Sequence, residues 1–266
     1  MGHSHTGCRN AGNPNGEQTE VRTTTLGVIG TGAVGLAVAH RAVDAGLNVV
    51  LSNSRGPETL AGLVAELGQR ARAATPAEAA SAGDLIIASM PLAAHEQLPQ
   101  AELVGKTVID PMNYSPRPDW KIPELDSTKV TSSELVQRHL AGARVVKALQ
   151  CLGMKQLVDL SLPAGAPHRS ALPLFGDDPD AKQEVAGLLD VLGFDTVDLG
   201  TLADSWRCEP NTPLHAIPYV GQPPSGLAPK DFVAWIKEAP GVPVPAAQVK
   251  ELAAAAVRGP AGFQMS

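Results

Sequence analysis

From Thr25 onward the apolar positions of this chain fall into short continuous runs, separated by longer stretches whose apolar residues recur at helical spacing. Short apolar blocks suit strands buried on both faces, and the longer segments suit amphipathic helices. Their alternation marks parallel strands joined by crossover helices. The pattern predicts strands over residues 25–29, 48–52, 71–73, 85–89, 107–110 and 144–148, and helices over 33–45, 57–67, 75–82, 93–97 and 132–140. The later stretch ALPLFGDDPDAKQEVAGLLDVLGFDTVDLG reads as a strand, a helix opening just after Asp177 and Asp178 and stopping at Gly193, and a further strand that extends the same sheet. Beyond Gly200 the chain is rich in proline and carries two candidate helices, over 230–237 and 246–258. The expected fold is α/β, a Rossmann-type doubly wound, mostly parallel sheet with a small C-terminal helical part.

The first predicted strand runs straight into Gly30, Thr31, Gly32, Ala33, Val34, Gly35. GxGxxG alone is a weak signal, but between a strand and a helix it has a mechanism. The first glycine permits the turn, the second lets backbone approach a pyrophosphate, and the third lets helix and strand pack closely. Free N–H groups and the helix dipole then favour an anion. Tight strand-to-helix packing by itself is the plainer alternative.

About 20 residues after those glycines, where a carboxylate would hold the ribose 2′-hydroxyl of NAD, the chain reads Asn53, Ser54, Arg55. A carboxylate there would repel a 2′-phosphate. Asn53 and Ser54 offer hydrogen bonds instead, and Arg55 offers a planar, permanently charged fork. An arginine opening a helix is unfavourable unless an anion is present. The expected cofactor is therefore NADP(H), with Thr31 adding a hydroxyl to the same phosphate.

In such a sheet the ligand lies at the carboxyl ends of the strands. Those ends are Met90, Pro91 and Leu92, then Met112 and Asn113, then Leu149, Gln150 and Cys151. The lining is apolar enough to shield a nicotinamide ring, with Asn113 available to a carboxamide or to substrate. Leu149 and Gln150, together with Trp206, His215 and Tyr219 of the C-terminal part, are the candidate substrate contacts. No catalytic residue is assigned: no Tyr and Lys stand at four-residue spacing, and no Ser-His-Asp set is evident. Lys147, inside a predicted strand, is either a structural residue or a buried cation. A site without a proton donor suits direct hydride transfer between two rings, where positioning does most of the catalysis.

Composition narrows the partners. A net charge of −6 leaves no electrostatic footprint for nucleic acid or anionic membrane, and no apolar run approaches the roughly 20 residues of a membrane span. Cys8, Cys151 and Cys208 have neither disulfide-framework nor CxxC spacing, which is expected of a reduced, cytoplasmic protein. His3, His5 and Cys8 sit in a polar stretch and are not read as a metal site. Three regions are expected: a disordered lead-in over 1–24, an NADP-binding Rossmann domain over 25–200, and a cap or dimerisation segment over 201–266.

The segments GVIGTGAVG, VVLSNSRGPETL, VIDPMN and VVKAL, in that order, together with LFGDDPDAKQEVAGLLDVLGFDTVDLGTLADSWRCEP, resemble the NADP-dependent reductases of the deazaflavin coenzyme F-420. The similarity runs from about Thr25 to Glu209, and the Ser-Arg pair is its most specific element. It implies an NADP(H)-binding Rossmann domain, with a small C-terminal part that helps hold the deazaflavin and builds a homodimer. Carried onto this chain, Thr31, Ser54 and Arg55 would bind the 2′-phosphate, and Met90, Pro91 and Leu92 would flank the nicotinamide. Related NADPH-binding domains occur in membrane metalloreductases. Three readings follow: hydride exchange between NADP(H) and F-420; reduction of a small carbonyl, imine or enone of a biosynthetic pathway beneath Trp206, His215 and Tyr219; or a non-catalytic NADP(H) sensor.

Overall fold

The computed structural model describes residues 24–117, 119–259 and 261–262. The expected lead-in over 1–24, apart from Thr24, and His3, His5 and Cys8 with it, lies outside the described residues. The strands are β1 (Thr25–Ile29), β2 (Asn48–Ser52), β3 (Ala71–Ala73), β4 (Leu85–Ala88), β5 (Thr107–Asp110), β6 (Arg144–Lys147), β7 (Ala171–Gly176) and β8 (Asp195–Asp198). They form one eight-stranded sheet in the order β3-β2-β1-β4-β5-β6-β7-β8. Every pairing is parallel except β6 with β7.

The helices are α1 (Ala33–Asp44), α2 (Ala61–Leu67), α3 (Pro76–Ala82), α4 (Gln100–Leu103), α5 (Pro123–Asp126), α6 (Ser132–His139), α7 (Met154–Asp159), α8 (Pro179–Leu192), α9 (Ile217–Val220), α10 (Pro229–Glu238) and α11 (Ala246–Ala255). Successive strand residues serve opposite faces. Leu85 and Ile87 join the core under α1, α7 and α8, whereas Ile86 and Ala88 join the core under α3, α4 and α6. A sheet covered on both faces needs apolar side chains at every position, which is why its strands read as continuous runs.

Local chemistry sets the helix starts. Thr75 with Glu78, and Thr131 with Glu134, make reciprocal capping boxes. Asp178 caps α8 by accepting the Ala181 N–H, Pro179 takes the first position, and Gly193 ends the helix in the left-handed region at φ 106°. Two expected helices take a different form: residues 92–97 are a 3₁₀ turn, and the segment expected over 57–67 is a 3₁₀ turn at Pro57–Leu60 followed by α2.

The reversal at β7 positions the rest of the chain. Only Val146 with Gly176 and Lys147 with Phe175 pair across β6 and β7. Because β7 runs backwards, its first residues, Ala171 to Leu174, stand beyond the carboxyl ends of the parallel strands. They carry β8 with them and build a wall at one end of the ligand edge. Residues after 200 pack against this wall. Tyr219 donates its hydroxyl to the Ala171 carbonyl at 2.8 Å, the Ala171 N–H reaches the Val244 carbonyl at 2.8 Å, and α11 lies over β7 and β8.

Candidate functional site

Strand order reverses between β1 and β4, and the crevice at their carboxyl ends is where a doubly wound sheet holds its ligand. The glycine turn lies there and is tied to the end of β4 through one residue. Ser89 donates its N–H to the Ile29 carbonyl at 2.8 Å, and its hydroxyl oxygen accepts the Gly35 N–H at 2.8 Å. Gly30 has φ 97°, and a Cβ there would be driven into the Ser89 carbonyl; a Cβ on Gly35 would collide with the Gly30 carbonyl. Those two glycines are required by the protein's own packing. Gly32 is not: it is exposed, and the only atom near its ideal Cβ is the Ser89 carbonyl oxygen at 3.9 Å. The clearance above Gly32 is what an approaching phosphate requires. No side chain caps α1, and its first turn carries no acidic residue, so the positive end of the helix faces the crevice unneutralised.

At the end of β2 the Asn53 carboxamide organises the loop. Its Oδ1 accepts the Arg55 N–H at 2.9 Å, and its Nδ2 donates to the Thr59 hydroxyl at 2.9 Å. Thr59 in turn donates to the Gly56 carbonyl at 2.7 Å. Asn53 is thus committed to shaping a turn that presents Ser54 and Arg55, both exposed. Among the described residues no carboxylate pairs with the Arg55 guanidinium.

Met90 is half-buried and Pro91 exposed, whereas Leu92 is buried in the core beneath them. Asn113 donates its Nδ2 to the Gln150 carbonyl at 3.0 Å, which stitches the end of β5 to the loop after β6. Its Oδ1 is buried and has no hydrogen-bond partner among the described residues. A buried acceptor without a donor costs stability, and the carboxamide N–H of a nicotinamide is a donor of the required kind. The cleared surface at Gly32 and this acceptor both fit a dinucleotide; when bound, such a cofactor supplies or accepts the hydride.

Among the substrate-side candidates, Gln150 and His215 meet at Cys208. Leu149 is buried at φ 68°, a strained conformation for a branched residue, and it turns the chain out of β6. Gln150 is buried, with Nε2 on the Cys208 Sγ at 2.6 Å. His215 and Tyr219, the other expected substrate contacts, both lie in the interior. His215 is buried with Nδ1 3.1 Å from the Cys208 carbonyl, and Tyr219 is fully enclosed with its hydroxyl engaged. Burial holds the Tyr219 phenol well above its ordinary pKa, with Cys151 and Cys208 adding to the shift. Trp206 lines a separate cleft with Thr128, Glu209 and Arg258, and the Arg207 guanidinium lies 4.6 Å from its ring centroid.

Two parts of the edge were not expected from the sequence: Ser89, and the set of Asp110, Ser132 and Ser133 around Lys147. A polar residue closing an apolar strand, as in IIAS, is the one signal that could have marked Ser89.

Residues 25–114 match the family of coenzyme F420-dependent NADP oxidoreductases. The solved structure of the hypothetical protein SMa0349 from Sinorhizobium meliloti is 32% identical with a TM-score of 0.63, over 73% of this chain and 93% of that one. A candidate F420-dependent NADP reductase from Arthrobacter sp. FB24 is 27% identical with a TM-score of 0.57, over 69% of this chain and 87% of that one. The chain belongs to the F420:NADP oxidoreductase-like family. Metalloreductase STEAP3 of Rattus norvegicus is 26% identical over 196 residues, which are 73% of this chain and 37% of that one. The chain spans 39% and 37% of the length of the curated relatives it matches. Within this F420:NADP oxidoreductase-like chain, the family match covers the glycine turn, the Ser54-Arg55 turn, Met90 to Leu92 and Asn113. It ends before the substrate-side candidates. No helix among the described residues is long and apolar enough to cross a membrane.

Proposed function

We propose that the chain binds NADP(H) and passes hydride between it and a second small molecule, with the deazaflavin coenzyme F-420 as the preferred partner, as a cytoplasmic homodimer. The observation that carries the cofactor choice is the end of β2. There an Asx-type turn, held by Asn53, presents Ser54 and an unpaired Arg55 where an NAD-binding strand would present a carboxylate. In this reading the Gly32 surface and the first turn of α1 hold the pyrophosphate, and Ser54, Arg55 and Thr31 hold the 2′-phosphate. Met90 and Pro91 form the apolar bed of the nicotinamide, and Asn113 Oδ1 accepts from its carboxamide. The chain's own groups bind, orient and exclude water; none is assigned a proton transfer.

The family match supports the deazaflavin as acceptor, and the enclosure of Tyr219 and His215 weighs against a carbonyl or imine reduction that would use them as acids. The test follows NADPH absorbance with and without the deazaflavin, in the native protein and in Arg55→Ala. Loss of a charge-assisted, bidentate phosphate contact should raise the KM for NADPH about 10- to 100-fold while moving that for NADH by less than about threefold. Equal effects on the two cofactors would remove the 2′-phosphate assignment. NADPH binding without oxidation in the presence of the deazaflavin would redirect the search to small carbonyl and imine substrates.

A further inference from the structure

A fully buried ion pair inside the sheet lies directly behind the turn that carries Asn113. Lys147 closes β6, Asp110 closes β5 beside it, and both side chains have no exposed surface. An ammonium has three N–H bonds to place, and Lys147 has three acceptors: Asp110 Oδ2 at 3.3 Å, the Ser132 hydroxyl oxygen at 3.2 Å, and the Met112 carbonyl in a short contact. Asp110 is equally committed. Its Oδ1 accepts the Met112 N–H at 2.8 Å, and its Oδ2 accepts the Ser133 hydroxyl at 2.6 Å. Ser132, the first residue of α6, donates its hydroxyl to Glu209 Oε1 at 2.8 Å, which anchors the set to the C-terminal part.

Both polar groups of Met112, its N–H and its carbonyl, are therefore held by one buried ion pair. Such a pair contributes little net stability compared with apolar side chains of the same volume, so its value lies in what it holds still. The next residue is Asn113, whose Nδ2 spans to the Gln150 carbonyl and whose Oδ1, like Gln150 Oε1, is a buried acceptor without a partner among the described residues. We propose that Lys147, with Asp110, is a positioning residue: it clamps the Met112 peptide and thereby fixes where Asn113 Oδ1 stands at the carboxyl edge. The inference rests on the reading of that edge as the nicotinamide pocket. It requires Lys147 to touch neither cofactor nor substrate.

The test uses the full chain with Asp110→Asn and Lys147→Met together, which removes both charges and leaves neither buried alone. Ser133→Ala is the second variant; it keeps the ion pair and removes one anchor of Asp110. Hydrogen exchange should speed at residues 112–115 by about tenfold or more in the double variant, and by a smaller factor in Ser133→Ala, with the remaining sheet protected as in the native protein. The second readout is the ratio of affinities for NADPH and for adenosine 2′,5′-bisphosphate, which lacks the nicotinamide. That ratio should fall about tenfold in the double variant while the bisphosphate affinity stays within about twofold. Unchanged exchange at 112–115, or exchange that rises equally over the whole sheet, would overturn the clamp. A native protein that holds NADPH no more tightly than the bisphosphate would instead remove the nicotinamide reading, and the exchange result would still decide the clamp.

Discussion

A methyl group on Gly32 would meet no protein atom closer than 3.9 Å, whereas one on Gly30 would collide with the Ser89 carbonyl from a backbone at φ 97°. Two glycines of one motif thus answer to different demands, and two substitutions separate them. Gly32→Ala should fold with a thermal midpoint within about 3 °C of the native protein, yet lose NADPH affinity by about tenfold or more. Gly30→Ala should fail to give soluble folded protein, or melt far earlier. A Gly32→Ala protein that binds NADPH normally would show that the phosphate does not cross this surface. The glycine turn and the Ser54-Arg55 pair are legible in sequence because each depends on neighbours a few residues away. Lys147 and Asn113 stand out in the sequence, but their contacts are not legible in the same way: Lys147 meets its partners across separations of 15, 35 and 37 residues, and Asn113 meets its own across 37.

Among the helices, those of seven residues or more announced themselves, and the shorter α4, α5, α7 and α9 did not. The α8 helix carries a cap, a first-position proline and a left-handed terminal glycine, and these bounded it in sequence. The six-residue α7 spans less than two turns, too short to show a period, yet it fastens the C-terminal part to the sheet. Gln156 donates to the Ala239 carbonyl at 2.6 Å, and Asp159 accepts the Gly241 N–H at 3.0 Å. That N–H, and then Lys155, hold the Asp159 carboxyl below its ordinary pKa. A carboxylate whose folded pKa is depressed adds stability above its unfolded value, about pH 4, and loses it as the pH falls through the folded one. Asp159→Asn should therefore be less stable than the native protein at pH 7, with the gap narrowing below about pH 4. Urea denaturation across that range measures it, and a gap independent of pH would show that the carboxylate charge plays no part.

On the scale of the whole molecule, doubly wound order was foreseeable from the alternation of elements, but the backward run of β7 was not. Its segment, ALPLFG, is as apolar as a parallel strand, and only tertiary pairing sets its direction. The wall it raises is finished by residues far along the chain, so the C-terminal part is built into the sheet end. Val244 and Val249 are completely buried there. At ~1.5–3 kcal/mol per buried valine, a chain ended at residue 240 should lose a large share of the usual stability margin and unfold in markedly less urea. Unchanged unfolding would show that the C-terminal part is an independent appendage. Ser89 has a consequence at this scale too. It is hydrogen-bonded into the glycine turn on one side, and Met90 and Pro91 follow it directly. The seats proposed for the pyrophosphate and for the nicotinamide are therefore bolted to one residue and cannot drift apart. The edge works as a fixed caliper, set to the span from pyrophosphate to nicotinamide, and fragments of the cofactor register only at the jaw they happen to reach.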